Sequence, residues 1–240
     1  MQIETAHISR NIEHIKSRIQ AVTSRAGRSL DDIQLIAVTK LQPVEYIHAA
    51  LECGQYDFGE NYPEETQRKI EEMPNLGKPI NWHMIGHMQS RKARIVARYF
   101  SCIHSIDSIH AAEVLSRELA GVNKTINSLI ELNLSGENSK TGFPAWDKAV
   151  QNRTLLDIEQ IGSFNQIKII GLMTMPRLSD NPEDSRSIYQ ELKRIQGLFS
   201  VRFPTQNWHA LSMGTSFDYE IAIEEGSTMV RIGEAIFGPR

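Results

Sequence analysis

The apolar positions change their period as the chain is followed from the N-terminus. Ile3, Ile8, Ile12, Ile15, Ile19 and Val22 recur at mostly three- and four-residue spacing, which predicts an amphipathic helix ending near Gly27. Ile33–Val38 is then a short apolar run rich in β-branched residues, as in a strand covered on both faces. Pro43 opens the next helix and Gly54 closes it, the usual placement of Pro at a start and Gly past an end. The alternation continues to the C-terminus. Further strands are predicted at Tyr56–Glu60, Asn81–Gly86, Cys102–Ile106, Ser128–Leu134, Ile167–Thr174, Trp208–Met213 and Met229–Phe237. Helical patterns fall between them, near 62–72, 88–98, 108–121, 144–160, 182–200 and 216–225.

Eight strands, each preceded by a helix, predict an α/β fold, because parallel strands need crossover connections of this kind. Eight is also the number that closes a TIM (β/α)8 barrel, which typically takes about 250 residues. The chain has 240. With no internal repeat, linker or break in composition, residues 1–240 are expected to form a single α/β barrel domain.

Composition narrows the partners. The chain is 40% hydrophobic and 23% charged, as in ordinary globular domains. Its 26 Lys+Arg against 29 Asp+Glu leave a net charge of −3, without the basic footprint of a nucleic-acid binder. The densest basic stretch, Arg91-Lys92-Ala93-Arg94 with Arg98, has helical spacing and reads as a solvated helix face. Cys53 and Cys102 form no CxxC pair, and Met1–Thr5 lacks the pattern of a signal peptide. No apolar run approaches the 18 or so residues of a membrane span. The expected location is cytoplasmic, with neither nucleic acid nor membrane as a partner.

Barrels of this type build their sites at the C-terminal ends of the strands. The residues expected there include Lys40, Asn61, His83 with His87, Asp107, Asn133, Met173 with Met175, Ser212–Ser216, and Arg231 with Gly233. Lys40 ends the strand Ala37-Val38-Thr39-Lys40 and suits two roles. A strand-end lysine can extend into water; a partly desolvated one loses proton affinity and can form a Schiff base with a carbonyl. Two glycine-containing segments, Leu211–Ser216 and Gly226–Gly238, fall where barrels frequently bind phosphate. His83 and His87 have the i,i+4 spacing of helical metal ligands, but Gly86 and the strand context spoil that geometry, and no metal is expected. Gly-x-Ser-x-Gly, Walker and GxGxxG motifs are absent.

Several motifs, in order, resemble one family. They are Ala37-Val38-Thr39-Lys40, Phe58-Gly59-Glu60-Asn61-Tyr62, Trp82-His83-Met84-Ile85-Gly86-His87-Met88-Gln89, Asn133–Gly142, Gly171-Leu172-Met173-Thr174, and the C-terminal Ser-Met-Gly … Gly-Ser-Thr-Met-Val-Arg-Ile-Gly segment. From about residue 8 onward the chain is similar to the pyridoxal phosphate homeostasis proteins. The resemblance implies a modified TIM barrel like the N-terminal domain of alanine racemase. It implies pyridoxal 5′-phosphate (PLP) held as an internal aldimine on Lys40, with Asn61 beside the ring and Arg231 facing the pyridine nitrogen. Ser212 and the backbone N–H groups of Gly233 and Glu234 would cradle the phosphate. Glu234 departs from the small residue that often follows Arg-Ile-Gly.

The implied function is PLP binding and delivery within the cell, without robust catalysis, with PLP-dependent apoenzymes as possible acceptors and a monomeric state. An arginine stays cationic at any relevant pH, so it disfavours protonation of a ring nitrogen beside it and weakens the electron sink that carbanion chemistry needs. Racemases of this fold use a second base, presented across a two-domain dimer, and a chain filled by one barrel is expected to lack it. Two alternatives remain at this stage: a weak amino-acid racemase, with Tyr62 or Tyr219 as the second base, and a PLP-sensing regulatory module that uses the Arg91–Arg98 helix.

Overall fold

In a computed structural model, residues 5–73, 79–137, 139–177 and 179–239 are described; Ile3 of the expected first helix and Asn138 of the Asn133–Gly142 motif lie outside them. The elements follow in order as α1 (Ala6–Arg25), β1 (Gln34–Val38), α2 (Val44–Glu52), β2 (Asp57–Glu60), α3 (Pro63–Glu72), β3 (Asn81–Met84), α4 (Ala93–Tyr99), β4 (Cys102–Ile106) and α5 (Ile109–Gly121). The second half runs β5 (Ile126–Asn133), β6 (Phe143–Pro144), α6 (Lys148–Ile161), β7 (Ile167–Met173), α7 (Arg186–Arg202), β8 (Ala210–Thr215), α8 (Tyr219–Glu224), β9 (Met229–Ile232) and α9 (Glu234–Phe237).

Every strand pairing is parallel. The sheet runs β4-β3-β2-β1-β9-β8-β7-β5, and β4 also pairs with β5, so eight strands close into a barrel. The two-residue β6 hangs on the end of β5. Sequence periodicity does not show it, because β6 owes its pairing to the turn that precedes it: Gly142 has φ +106°, and a Cβ there would meet the β5 backbone at 2.9 Å.

Two apolar layers result. The larger lies between barrel and helices; the smaller, inside the barrel, comprises Ile36, Cys102, Leu129, Met173, Ala210 and Met229. Helix α1 precedes all the strands, yet it completes the outer ring, packing beside α2, α8 and α9. Its buried Ile8, Ile12, Ile15, Ile19 and Val22 face the core, each contributing about 1.5–3 kcal/mol of apolar burial. Asn11 Nδ2 donates to the Ile236 carbonyl at 2.8 Å, and Tyr46 stacks on Phe237 with ring centroids 6.1 Å apart.

The last strand differs from expectation. Met229–Phe237 reads as one apolar run, but the strand ends at Ile232 and residues 234–237 turn into α9. Ile236 and Phe237 are apolar because they pack under α1, not because they continue the sheet. Arg91, Arg94 and Arg98 are exposed while Ala93, Val96 and Ala97 are buried, the solvated face that the spacing predicts. Among the described residues, no helix is long and apolar enough to cross a membrane.

Candidate functional site

Where β1, β2, β8 and β9 end, their following residues enclose a cavity of about 380 Å³, within the range of small-molecule sites. It is lined by Val38, Lys40, Asn61, Ile85, Met175, Thr215, Ser216, Phe217, Arg231, Gly233 and Glu234. Five of the six expected site residues thus converge on one space. A larger groove of about 650 Å³ beside Ser135, Arg177 and Asp184 contains none of them.

Lys40 is half-buried, and its backbone is held from both sides. Lys69, on α3, places its ammonium 2.7 Å from the Thr39 carbonyl, from Glu60 Oε1 and from Glu65 Oε1. Thr39 Oγ1 donates to the same Glu60 oxygen at 2.8 Å, and the Leu41 N–H donates to Glu65 Oε1 at 2.7 Å. Leu41 adopts φ +60°, an uncommon conformation for a leucine. Burial pushes the Glu60 carboxyl upward in pKa, and the Lys69 ammonium pulls it back. The motif residue Glu60 therefore braces the strand end under Lys40 and does not line the cavity.

Asn61 lies against Gly86, where a Cβ would meet the Asn61 Cα and Cβ at 2.9 Å. That close approach gives Gly86 its purpose in the Ile85-Gly86-His87 segment. His87, exposed at the rim, pairs through Nδ1 with Asp107 at 2.5 Å, whereas His83 is buried inside the barrel.

Arg231 is 3% exposed. One terminal nitrogen donates to Ser212 Oγ, and the other to the Thr174 carbonyl at 3.1 Å, with Met175 Sδ at 3.7 Å. Its Nε–H, also buried, has no hydrogen-bond partner among the described residues. Burial lowers the pKa of the guanidinium, with Tyr189, Asp218 and Glu131 acting in the opposite sense, and it stays cationic. A buried charged donor left over at a cavity wall is a place for an acceptor from outside the chain.

Ser212 requires a correction. It is fully buried beneath Arg231 and does not line the cavity. The serine at the mouth is Ser216, whose Oγ accepts from the N–H groups of Gly233 and Ala235, both at 3.2 Å. The reason is where β8 ends: the sequence places that end at Met213, the structure at Thr215, and the mouth moves along the chain accordingly. Asp218 fixes the turn, accepting from the Thr215 N–H at 2.8 Å and from the Tyr189 hydroxyl at 2.6 Å. Glu234 lines the rim as an exposed residue. Neither Tyr62 nor Tyr219 lines the cavity.

The family model for the alanine racemase N-terminal domain matches residues 10–240. A protein of Vibrio alginolyticus is 39% identical over 236 residues, covering 97% of both chains, and is named pyridoxal phosphate homeostasis protein. The chain belongs to that family. PipY of Synechococcus elongatus, solved with PLP bound, superposes with a TM-score of 0.80 at 30% identity, covering 93% of this chain and all of that one. Alanine racemase of Clostridium difficile shares the fold at a TM-score of 0.73 and 11% identity; this chain is covered to 98% and spans 57% of the racemase.

Proposed function

We propose that this protein binds PLP through a Schiff base on Lys40 and serves PLP homeostasis as a carrier, not as an enzyme. The observation that carries the reading is the convergence, in one cavity, of a lysine and of an arginine whose buried Nε–H is unpartnered among the described residues. The donor set suits the cofactor. Nε–H of Arg231 can donate to an unprotonated ring nitrogen, Asn61 flanks the ring, and the hydroxyl of Ser216 with the N–H groups around Gly233 and Glu234 suits the phosphate. When bound, PLP supplies an electrophilic aldehyde and a potential electron sink, and Arg231 weakens the sink.

Carriage rather than catalysis is supported by the absence of Tyr62 and Tyr219 from the cavity lining, which leaves neither to act as the racemase's second base. Leu41, Met175 and Phe217, all exposed beside the cavity, leave the mouth open to an acceptor apoenzyme. In this reading residues 1–240 act as a single-domain monomer in the reducing cytoplasm, with Cys53 and Cys102 as thiols.

Borohydride treatment of PLP-loaded protein, followed by peptide mapping, tests the site directly. The reading predicts reduced cofactor on the peptide containing Lys40 and none on a Lys40→Ala variant. Label elsewhere, retained in Lys40→Ala, overturns the assignment. Racemisation of alanine or serine above the rate of PLP alone, lost in Lys40→Ala, overturns the carrier role.

A further inference from the structure

The barrel interior holds a line of polar side chains that cofactor binding alone does not require. Asp57 stands at the first position of β2, beside a groove of about 430 Å³ at the end of the barrel opposite the cavity. Its Oδ1 lies 3.1 Å from His83 Nε2. His83 Nδ1 lies 3.0 Å from His104 Nε2, and His104 Nδ1 lies 2.8 Å from Ser212 Oγ, which contacts Arg231. Five strands thus contribute one residue each to a continuous chain from base to mouth. His83, His104, Ser212 and Arg231 are all buried.

The ends of the chain fix its direction. A guanidinium only donates, so Ser212 Oγ accepts from Arg231. The remaining partner of that hydroxyl is His104 Nδ1, so the O–H donates there; the reverse would leave a buried O–H without an acceptor. His104 is neutral, because burial, with His83 and Arg231 nearby, holds its pKa well below the usual histidine value. Its single proton is then on Nε2 and is donated to His83 Nδ1. His83 in turn donates from Nε2 to Asp57. Desolvation alone would raise the pKa of Asp57, but hydrogen bonds from His83, Asn81 and Gln34 outweigh it and hold the carboxylate ionised. Every donor along the line meets an acceptor, with a cation at one end and an anion at the other.

We propose that Ser212, His104, His83 and Asp57 are positioning residues that lock the guanidinium of Arg231 in the pose that leaves its Nε–H for the cofactor, and that link this pose to the groove at the barrel base. The inference rests on the PLP reading above. The competing assignment for His83, Cys102 and His104 is a metal site, since their ligand atoms lie within 4.8 Å of one another. Burial raises the pKa of the Cys102 thiol and so disfavours the thiolate that a metal needs, and the chain already uses all four imidazole nitrogens.

The decisive variant is Asp57→Asn, at the end of the chain remote from the cavity, with Ser212→Ala as its partner near the mouth. Both are expected to keep cofactor fixable on Lys40 while shifting the visible absorption band of bound PLP. Ser212→Ala raises the PLP Kd about tenfold, the worth of one charged hydrogen bond; Ser212→Thr restores the wild-type value. Unchanged spectrum and Kd in both variants overturn the proposal and leave the chain as core structure alone. A reading independent of the cofactor comes from ¹⁵N NMR of the imidazoles in protein without PLP. Both rings are expected as neutral Nε2–H tautomers, and a proton on Nδ1 of His104 overturns the direction. Stoichiometric zinc uptake lost in Cys102→Ser overturns the chain in favour of a metal. If wild-type protein fails to bind PLP, the functional reading falls while the NMR test still stands.

Discussion

Ser216 shows how small a displacement along the chain decides a residue's role. Two serines flank Met213-Gly214-Thr215, and the end of β8 determines which one reaches the mouth. Gly214, at φ +96°, lets the strand turn there, since a Cβ would meet Ala222 Cβ at 2.7 Å. Ser216→Ala removes the hydroxyl on which the Gly233 and Ala235 N–H groups converge. PLP affinity is expected to fall about tenfold in an absorbance titration, while affinity for pyridoxal, which lacks the phosphate, stays unchanged. Equal loss for both ligands would remove Ser216 from the anion site. Lys40 and Asn61 were legible in the sequence because each lies just past a strand end that periodicity places correctly, whereas Arg231 and Gly233 were legible from the Arg-Ile-Gly motif although the strand carrying them ends earlier than its apolar run. Ser212 was misplaced because glycine and serine patterns mark a turn without saying where the strand stops.

At the level of elements, α3 acts on the cavity without lining it. Through Lys69 it holds Thr39 and, by way of Glu65, Leu41, so the backbone is pinned on both sides of Lys40, which lines the cavity. Lys69 is 6% exposed in its side chain and Glu60 is fully buried, so removing one partner strands the other in a dry environment. Lys69→Met is expected to cost about 3–5 kcal/mol in denaturant unfolding. Borohydride-trappable cofactor should fall more in this variant than in one with equally lowered stability from a core truncation such as Ile12→Ala. A loss explained by stability alone would make the clamp purely structural. The sequence gives no hint of this clamp, because a lysine in a run as polar as Glu64–Glu72 looks like any solvated helix residue.

For the whole molecule, the outer apolar layer was readable because helix and strand periods alternate along the chain. The inner chain was not, since Asp57, His83, His104, Ser212 and Arg231 come from five strands that only barrel closure unites. That interior should mark the pH dependence of global stability. An unfolded histidine takes a proton near pH 6.5, while buried His104 does not. The stability contributed by neutral His104 is therefore intact above about pH 6.5 and lost as pH falls toward its depressed folded value, at up to about 1.4 kcal/mol per pH unit. Asp57, also depressed, adds a loss in a lower window, as pH drops below about 4. Glu60 and Glu131, raised by burial, act in the opposite sense, because the folded state takes up their protons first. The difference between wild type and His104→Gln isolates the histidine. The variant's unfolding free energy is expected to decline less steeply from pH 6.5 to 5, and parallel curves would contradict a neutral His104.

The placement of α1 carries a consequence in time. Synthesis delivers this helix before any strand of the barrel, yet part of its apolar face has α8 and α9 as neighbours, and β1 completes its pairing only with β9. On the ribosome, both must wait for residues 229–237 to emerge. Closure is therefore a late event built on contacts of very large sequence separation, the kind that slows folding and leaves apolar surface uncovered in the interim. A nascent chain of this protein should need protection until β9 and α9 have emerged, and barrel closure should set its folding rate.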